Sequence, residues 1–233
     1  MPNERIIGAI GSLNIPILQD RLNLYLVARG IKPSSTITAL ADYNALEPAY
    51  NALRKIVRPA IYKIDGEVCL IDVAPSIGKL VRLMAASRSG DHGRRGRAYG
   101  FPKDSVAAYV EGTQKGDYFV AYWMMLANAI SLGIPIPIEL AYLSYVPNGC
   151  IIHDKLSDQS LRLGARYRQT VIQGYPGLAA EVENNFINSL SKLGHGNHQL
   201  KGLDPTMWSD SLRLMDALRD RPVHPVVGVA YTV

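Results

Sequence analysis

The stretch Ala60-Ile61-Tyr62-Lys63-Ile64-Asp65-Gly66-Glu67-Val68-Cys69-Leu70-Ile71-Asp72-Val73 decides the fold class. Two runs rich in apolar and β-branched side chains flank Asp65-Gly66. An Asp-Gly pair between such runs marks a two-residue hairpin turn, because both turn residues must take positive φ. A hairpin makes at least part of the sheet antiparallel.

Outward from the hairpin, apolar spacing predicts helices on both sides. Asn14 to Gly30 reads as one, with Asn14 as cap, Pro16 in the first turn, Leu18, Leu22, Tyr25 and Leu26 on one side, and Gly30 as stop. Ala45 to Val57 reads as a second, ended by Pro59. Pro75 opens a third that runs to Ala86 and should bury Ile77, Leu80, Val81 and Met84. Pro102 to Val110, Leu156 to Gln173 and Leu178 to Leu193 follow, the last two joined through Gly174-Tyr-Pro-Gly177. Asp204-Pro205 starts a final helix by the cap-plus-proline pattern. Ile138 to Val146 and Val226 to Val233 read as strands. The fold class expected is therefore mixed α/β and helix-rich, with a small, at least partly antiparallel sheet that includes the 60–73 hairpin and is covered by helices. Residues 1–233 read as one domain, with 1–57 as a helical N-terminal subdomain.

Of the 233 residues, 48% are hydrophobic and 19% charged, too apolar for a disordered chain. Two cysteines, Cys69 and Cys150, are too few for a disulfide framework, and Met1-Pro2-Asn3-Glu4-Arg5 lacks the basic start of a signal peptide. A reducing, cytoplasmic location is expected. Tyr118 to Ile138 holds no charged side chain, but prolines and glycine interrupt it short of the ~20 apolar residues a bilayer requires. It is read as a buried helix, so no membrane partner is expected.

Charge is concentrated in one place. Lys79 to Lys103 holds seven basic residues and one acid, Asp91, a local +6 in a chain whose total is +5. Within it, Ser87-Arg-Ser-Gly-Asp-His-Gly-Arg-Arg-Gly-Arg-Ala-Tyr-Gly100 is Gly- and Arg-rich without apolar period, and reads as a surface loop. Arginines offer planar, bidentate donors to phosphate or carboxylate, and glycines let backbone approach a ligand. The expected ligand-binding residues are Arg88, Arg94, Arg95, Arg97, Tyr99, Phe101 and Lys103. The arginines would hold the charge, and Tyr99 or Phe101 would pack a ring. Phe101 also reads as a core anchor. Asp104 and His153 are the candidates nearby for acid–base work.

The partner expected first is an anionic small molecule, phosphorylated or nucleotide-like. One alternative is nucleic acid bound without sequence preference by the same loop. Another is an assembly subunit whose apolar Tyr118–Val146 region forms a homo-oligomer interface. Arg97-Ala-Tyr-Gly-Phe101 lacks the strand context of an RNA-recognition motif, because Pro102 would break it. No Walker A loop, G-x-S-x-G or G-x-G-x-x-G occurs, and no cofactor is expected. The pair His195/His198 lies among glycines, and Cys150, His153 and Asp154 form only part of a ligand set, so no metal site is assigned. Cys69 reads as a core residue and Cys150 as a turn residue.

Tyr99-Gly-Phe-Pro-Lys-Asp-Ser-Val-Ala-Ala-Tyr109 resembles a Gly-Tyr/Phe-Pro-x-Cys-Cys-Val-x-x-Phe/Tyr motif. Tyr145-Val-Pro147 with Ser160-Leu-Arg-Leu-Gly-Ala-Arg-Tyr167 resembles a His-x-Pro-Cys…Cys…Ser-x-x-Leu-Gly-x-x-Tyr stretch. Both motifs belong to a family of mostly archaeal proteins of unknown function. The resemblance spans about 100 to 167 and departs at the thiols: Asp104 and Ser105 stand where that pattern has cysteines, and Asn148 replaces a third. It implies that the turn near Gly100-Phe-Pro102 faces the turn at Pro147–His153, and it implies no activity.

Overall fold

A computed structural model of the chain describes residues 2–40, 43–115, 142, 144–146, 151–152 and 155–194. The hairpin forms as expected, with one shift. Strand β2 (Arg58–Asp65) runs to Asp65, which pairs with Val68 at the start of β3 (Val68–Ala74), so the two-residue loop is Gly66-Glu67. Gly66 takes φ 59° at the first loop position, which favours glycine there. The third strand, β1 (Ser35–Leu40), pairs antiparallel with β3, and the sheet order is β1-β3-β2. The stretch 1–57 thus supplies a strand to the sheet as well as helices.

Register assigns the two faces. Ile37 opposite Ile71, Ala39 opposite Cys69 and Ser35 opposite Val73 share one face; Thr36 opposite Asp72 and Thr38 opposite Leu70 share the other. The first face is apolar and carries the core. Helix α2 (Leu18–Ala28) packs on it, and α1 (Asn3–Gly11), α7 (Asp158–Gly174) and α8 (Pro176–Gly194) pack on α2, extending the core through Ile6, Ile10, Leu22, Tyr25, Val171 and Val182. Helix α2 is buried continuously from Leu22 to Val27, which makes it the centre of the packing. Cys69 lies in this core, and burial pushes its thiol pKa up. Helix α3 (Tyr43–Arg54) packs on β2. Arg168 of α7 holds Glu183 of α8 with two bonds, Nε–Oε1 2.8 Å and Nη2–Oε2 3.3 Å, and the Tyr145 hydroxyl donates to the same carboxylate at 2.7 Å.

Four elements differ from expectation. Helix α2 starts at Leu18 rather than Asn14, because the Asn14 carbonyl accepts the Leu40 N–H at 2.8 Å and keeps that segment beside β1. Helix α1 forms despite Gly8 and Gly11, since Ile6 and Ile10 at i, i+4 bury on the core. Helix α4 (Ile77–Arg88) buries Leu80, Leu83 and Ala86 and leaves Ile77 and Val81 exposed, at 67% and 57%. Both stripes have helical spacing, but only the one continuing through Leu83 and Ala86 faces β3 and the next helix. The strand expected over 138–146 does not extend to its end, because Tyr142 is helical and Ser144 to Val146 form a turn. A short hairpin, β4 (Ile151–Ile152) with β5 (Lys155–Leu156), precedes α7. The segments expected at 118–132, 204 onward and 226–233 lie outside the described residues. Among those described, no helix is long and apolar enough to cross a membrane.

Candidate functional site

The Gly- and Arg-rich segment expected to be a loop is a helix, α5 (His92–Ala98). Asp91 caps it, its Oδ1 accepting the Arg94 N–H at 3.0 Å. That N–H, with Arg97 and Arg94 nearby, holds the Asp91 carboxyl below its usual range. The other end closes with paired bonds: Phe101 N–H to the Gly96 carbonyl at 3.1 Å and Gly100 N–H to the Arg97 carbonyl at 3.0 Å. Gly100 sits at φ 82°, and a Cβ there would come within 2.5 Å of Pro33. This closure turns Phe101 back toward the core and starts α6 (Lys103–Lys115) two residues later.

Gly96 inside α5 serves helix packing. A Cβ there would stand 2.9 Å from Val106 Cγ2, whereas one on Gly93 would crowd its own segment, 3.2 Å from Asp91 Oδ1 and 3.3 Å from Arg97 Nη1. The missing Cβ of Gly96 lets α5 and α6 approach closely. Between the helices opens a cleft of about 190 Å³. Helix α5 contributes His92, Arg95, Gly96 and Tyr99, which fall at i, i+3, i+4 and i+7 and therefore on one face. Helix α6 contributes Ser105, Val106 and Tyr109, and Phe101 lines the cleft from the joint. The rings meet edge-on: Tyr99 and Phe101 are T-shaped at 6.0 Å, and His92 and Tyr109 are tilted by 59° at 5.9 Å.

Arg95 is fixed from behind. Its Nε donates to the Tyr99 hydroxyl at 3.0 Å, and its guanidinium lies 5.6 Å from the Tyr99 ring centroid and 6.0 Å from that of Tyr62. Tyr99 Oη is 2.7 Å from Thr36 Oγ1, and Thr36 Oγ1 donates to Asp72 Oδ1 at 2.6 Å. Thr36 has one hydroxyl proton and gives it to the carboxylate. Tyr99 must then donate to Thr36, and its remaining acceptor capacity receives Arg95. Every donor in the chain points from the cation toward the buried carboxylate. Burial pushes the Asp72 carboxyl up, while the Thr36 bond and the Arg95 charge pull it back. Among the described residues no carboxylate lies within ion-pair distance of Arg95.

The other expected residues are placed elsewhere. Arg94 and Arg97 are exposed on α5, Arg88 is exposed at the end of α4, and Lys103 is exposed at the start of α6. None of the four lines the cleft. Asp104 joins two helix starts: its Oδ1 accepts the Ser105 N–H at 2.8 Å and its Oδ2 accepts the Ser157 hydroxyl at 2.8 Å. Ser157 Oγ in turn caps α7 by accepting the Ser160 N–H at 3.0 Å, and the Ser105 and Ser160 hydroxyls are 2.6 Å apart. Asp104 lies outside the cleft lining. Helix α6 also packs against β4. His153, Cys150, His195 and His198 lie outside the described residues; among those described, no cluster of metal-ligating side chains occurs. Sequence reasoning missed His92, Ser105, Val106 and Tyr109, although the His92/Arg95/Tyr99 spacing was a readable signal.

One more buried cation borders this region. Lys32 is 1% exposed, with Nζ 4.7 Å from the centroid of the Phe101 ring, and burial lowers its pKa to about 8. Compared with protein-family models, curated proteins and solved structures, the chain matches none.

Proposed function

We propose that this protein binds a small anionic ligand in the α5–α6 cleft, with Arg95 as the anchor. The observation that carries this reading is the Arg95 guanidinium, tied back through Nε to Tyr99 in a cleft walled by aromatic rings. Such a group offers a planar fork to an anion and needs no reorganisation to receive it. The rings and Val106 supply apolar surface for the rest of the ligand. Arg94 and Arg97 are exposed and stand outside the cleft lining.

The test is thermal unfolding of the full chain with added benzoate or inorganic phosphate, for wild type, Arg95→Gln and the pair Arg94→Ala/Arg97→Ala. Stabilisation by an anion should vanish in Arg95→Gln and persist in the double variant. The reverse pattern would transfer binding to the exposed arginines and favour the nucleic-acid reading, whose observation is the outward row Arg88, Arg94, Arg97 and Lys103.

A further inference from the structure

Resting on the anion-binding reading above, we infer that the ligand is an aromatic monocarboxylate with a single ring. Size comes first. The cleft measures about 190 Å³. An apolar cavity of about 150 Å³ takes one benzene molecule, and a water molecule's share of liquid volume is about 30 Å³. One ring therefore leaves roughly 40 Å³ inside the cleft, room for a group the size of a carboxylate, and a ribose phosphate would lie outside it. Sites for drug-sized ligands begin at about 300 Å³, well above this cleft.

Charge points the same way. Of the basic residues between Lys79 and Lys103, only Arg95 lines the cleft. Part of its field is already spent on Asp72, which it reaches through the Tyr99 and Thr36 hydroxyls. One partly compensated guanidinium balances one negative charge, whereas a phosphate monoester carries up to two. Geometry selects a planar acid. With Nε committed to Tyr99, the fork left for a ligand is the Nη1/Nη2 pair, whose flat, two-pronged donors match a carboxylate.

The lining then selects an aromatic body. Tyr99 touches Phe101 edge to face and His92 touches Tyr109, with centroids about 6 Å apart, so a ligand meets the outward faces and edges of these pairs. A flat aromatic ring adds stacking or edge contacts to such surfaces that a puckered aliphatic ring of equal volume lacks. The closeness of α5 and α6, fixed at Gly96 and Val106, keeps the slot narrow.

Isothermal titration of the wild-type chain with benzoate, cyclohexanecarboxylate, acetate, inorganic phosphate and adenosine 5′-monophosphate tests this directly. Benzoate should bind at least tenfold tighter than each of the others. Arg95→Gln should weaken benzoate at least tenfold, and Arg94→Ala/Arg97→Ala should leave it within threefold. Phosphate or the nucleotide binding more tightly than benzoate, with the same dependence on Arg95, would overturn the aromatic-acid assignment and leave the anion site standing. Equal affinity for benzoate and cyclohexanecarboxylate would overturn it too. If no anion binds, or none responds to Arg95→Gln, both readings fall. The ranking among ligands is read on wild type, so it does not depend on any variant folding.

Discussion

Lys32→Met is the substitution whose consequence can be worked out most fully. Lys32 is almost wholly buried beneath the joint between α5 and α6, and burial alone brings its pKa from 10.5 to about 8. At about 1.4 kcal/mol per pKa unit, folding at neutral pH carries a penalty of about 3 kcal/mol for the buried charge. The Phe101 ring, 4.7 Å from Nζ, returns up to about 2 kcal/mol of that as a desolvated cation–π contact. Methionine keeps the length of the stem and drops the charge. At pH 7 the variant should therefore be more stable than wild type by about 1 kcal/mol or more. The sign with pH follows from the lowered pKa. Below pH 8 both folded and unfolded wild type hold the Lys32 proton, and the penalty is complete. Between about 8 and 10.5 the folded state releases it while the unfolded state retains it, so wild-type stability rises with pH. Most of the penalty that the ring leaves uncompensated, about 1 kcal/mol or more, should be recovered by pH 10. Urea unfolding of both chains, followed by circular dichroism from pH 7 to 10, reads the difference and cancels every other titrating group. A constant difference across that range would refute the reasoning, because it would mean the ammonium is solvated when folded.

Two further changes probe the site's frame. Gly96→Ala places a Cβ 2.9 Å from Val106 Cγ2; overpacking costs about 1–3 kcal/mol and the alanine returns at most about 1 through helix propensity. The expected result is a net loss of about 1 kcal/mol that Val106→Ala partly rescues, measured as a positive coupling in a double-mutant cycle. Asp72→Asn keeps an oxygen for Thr36 but cannot ionise. Because burial raises the Asp72 pKa above 3.8, wild type should lose stability relative to the variant as pH climbs from 3.8 through the raised value, and equal unfolding midpoints at pH 4 and pH 7 would show the carboxylate fully compensated.

The sheet was readable where side-chain chemistry is local. Ala60–Val73 pairs apolar runs with a turn glycine, and the structure moves the loop by one residue only. β1 was harder to see. Its Ser-Thr-Ile-Thr-Ala-Leu alternates, but the inward positions Ser35, Ile37 and Ala39 include just one large apolar side chain, so the period-two signal is faint. Helix α1 was hidden by two glycines, each costing about 1 kcal/mol against alanine, and it forms because Ile6 and Ile10 find the core. On α4 two stripes compete in the sequence, and only the placement of the sheet decides between them. In each case the deciding term is a contact between residues far apart in the chain, which periodicity within one segment does not register.

The Arg-rich segment shows the same limit at the site itself. Its four glycines, Gly90, Gly93, Gly96 and Gly100, argue for a loop on propensity, and its charge argues for a broad anion-attracting surface. Helix formation overturns the first reading and sorts the charges of the second. The turn of the helix separates neighbours in sequence, so Arg95 and Tyr99 are half-buried along the cleft, with the exposed His92 on the same face, while Arg94 and Arg97 go to solvent. Gly96, costly for an isolated helix, becomes the close approach that forms the cleft wall. A local +6 thus resolves into exposed charges, screened over about 8 Å at physiological salt, and one half-buried guanidinium that salt screens far less. On the anion-binding reading proposed above, the electrostatics of recognition would rest on that single group and its hydroxyl-linked carboxylate rather than on the density of arginines.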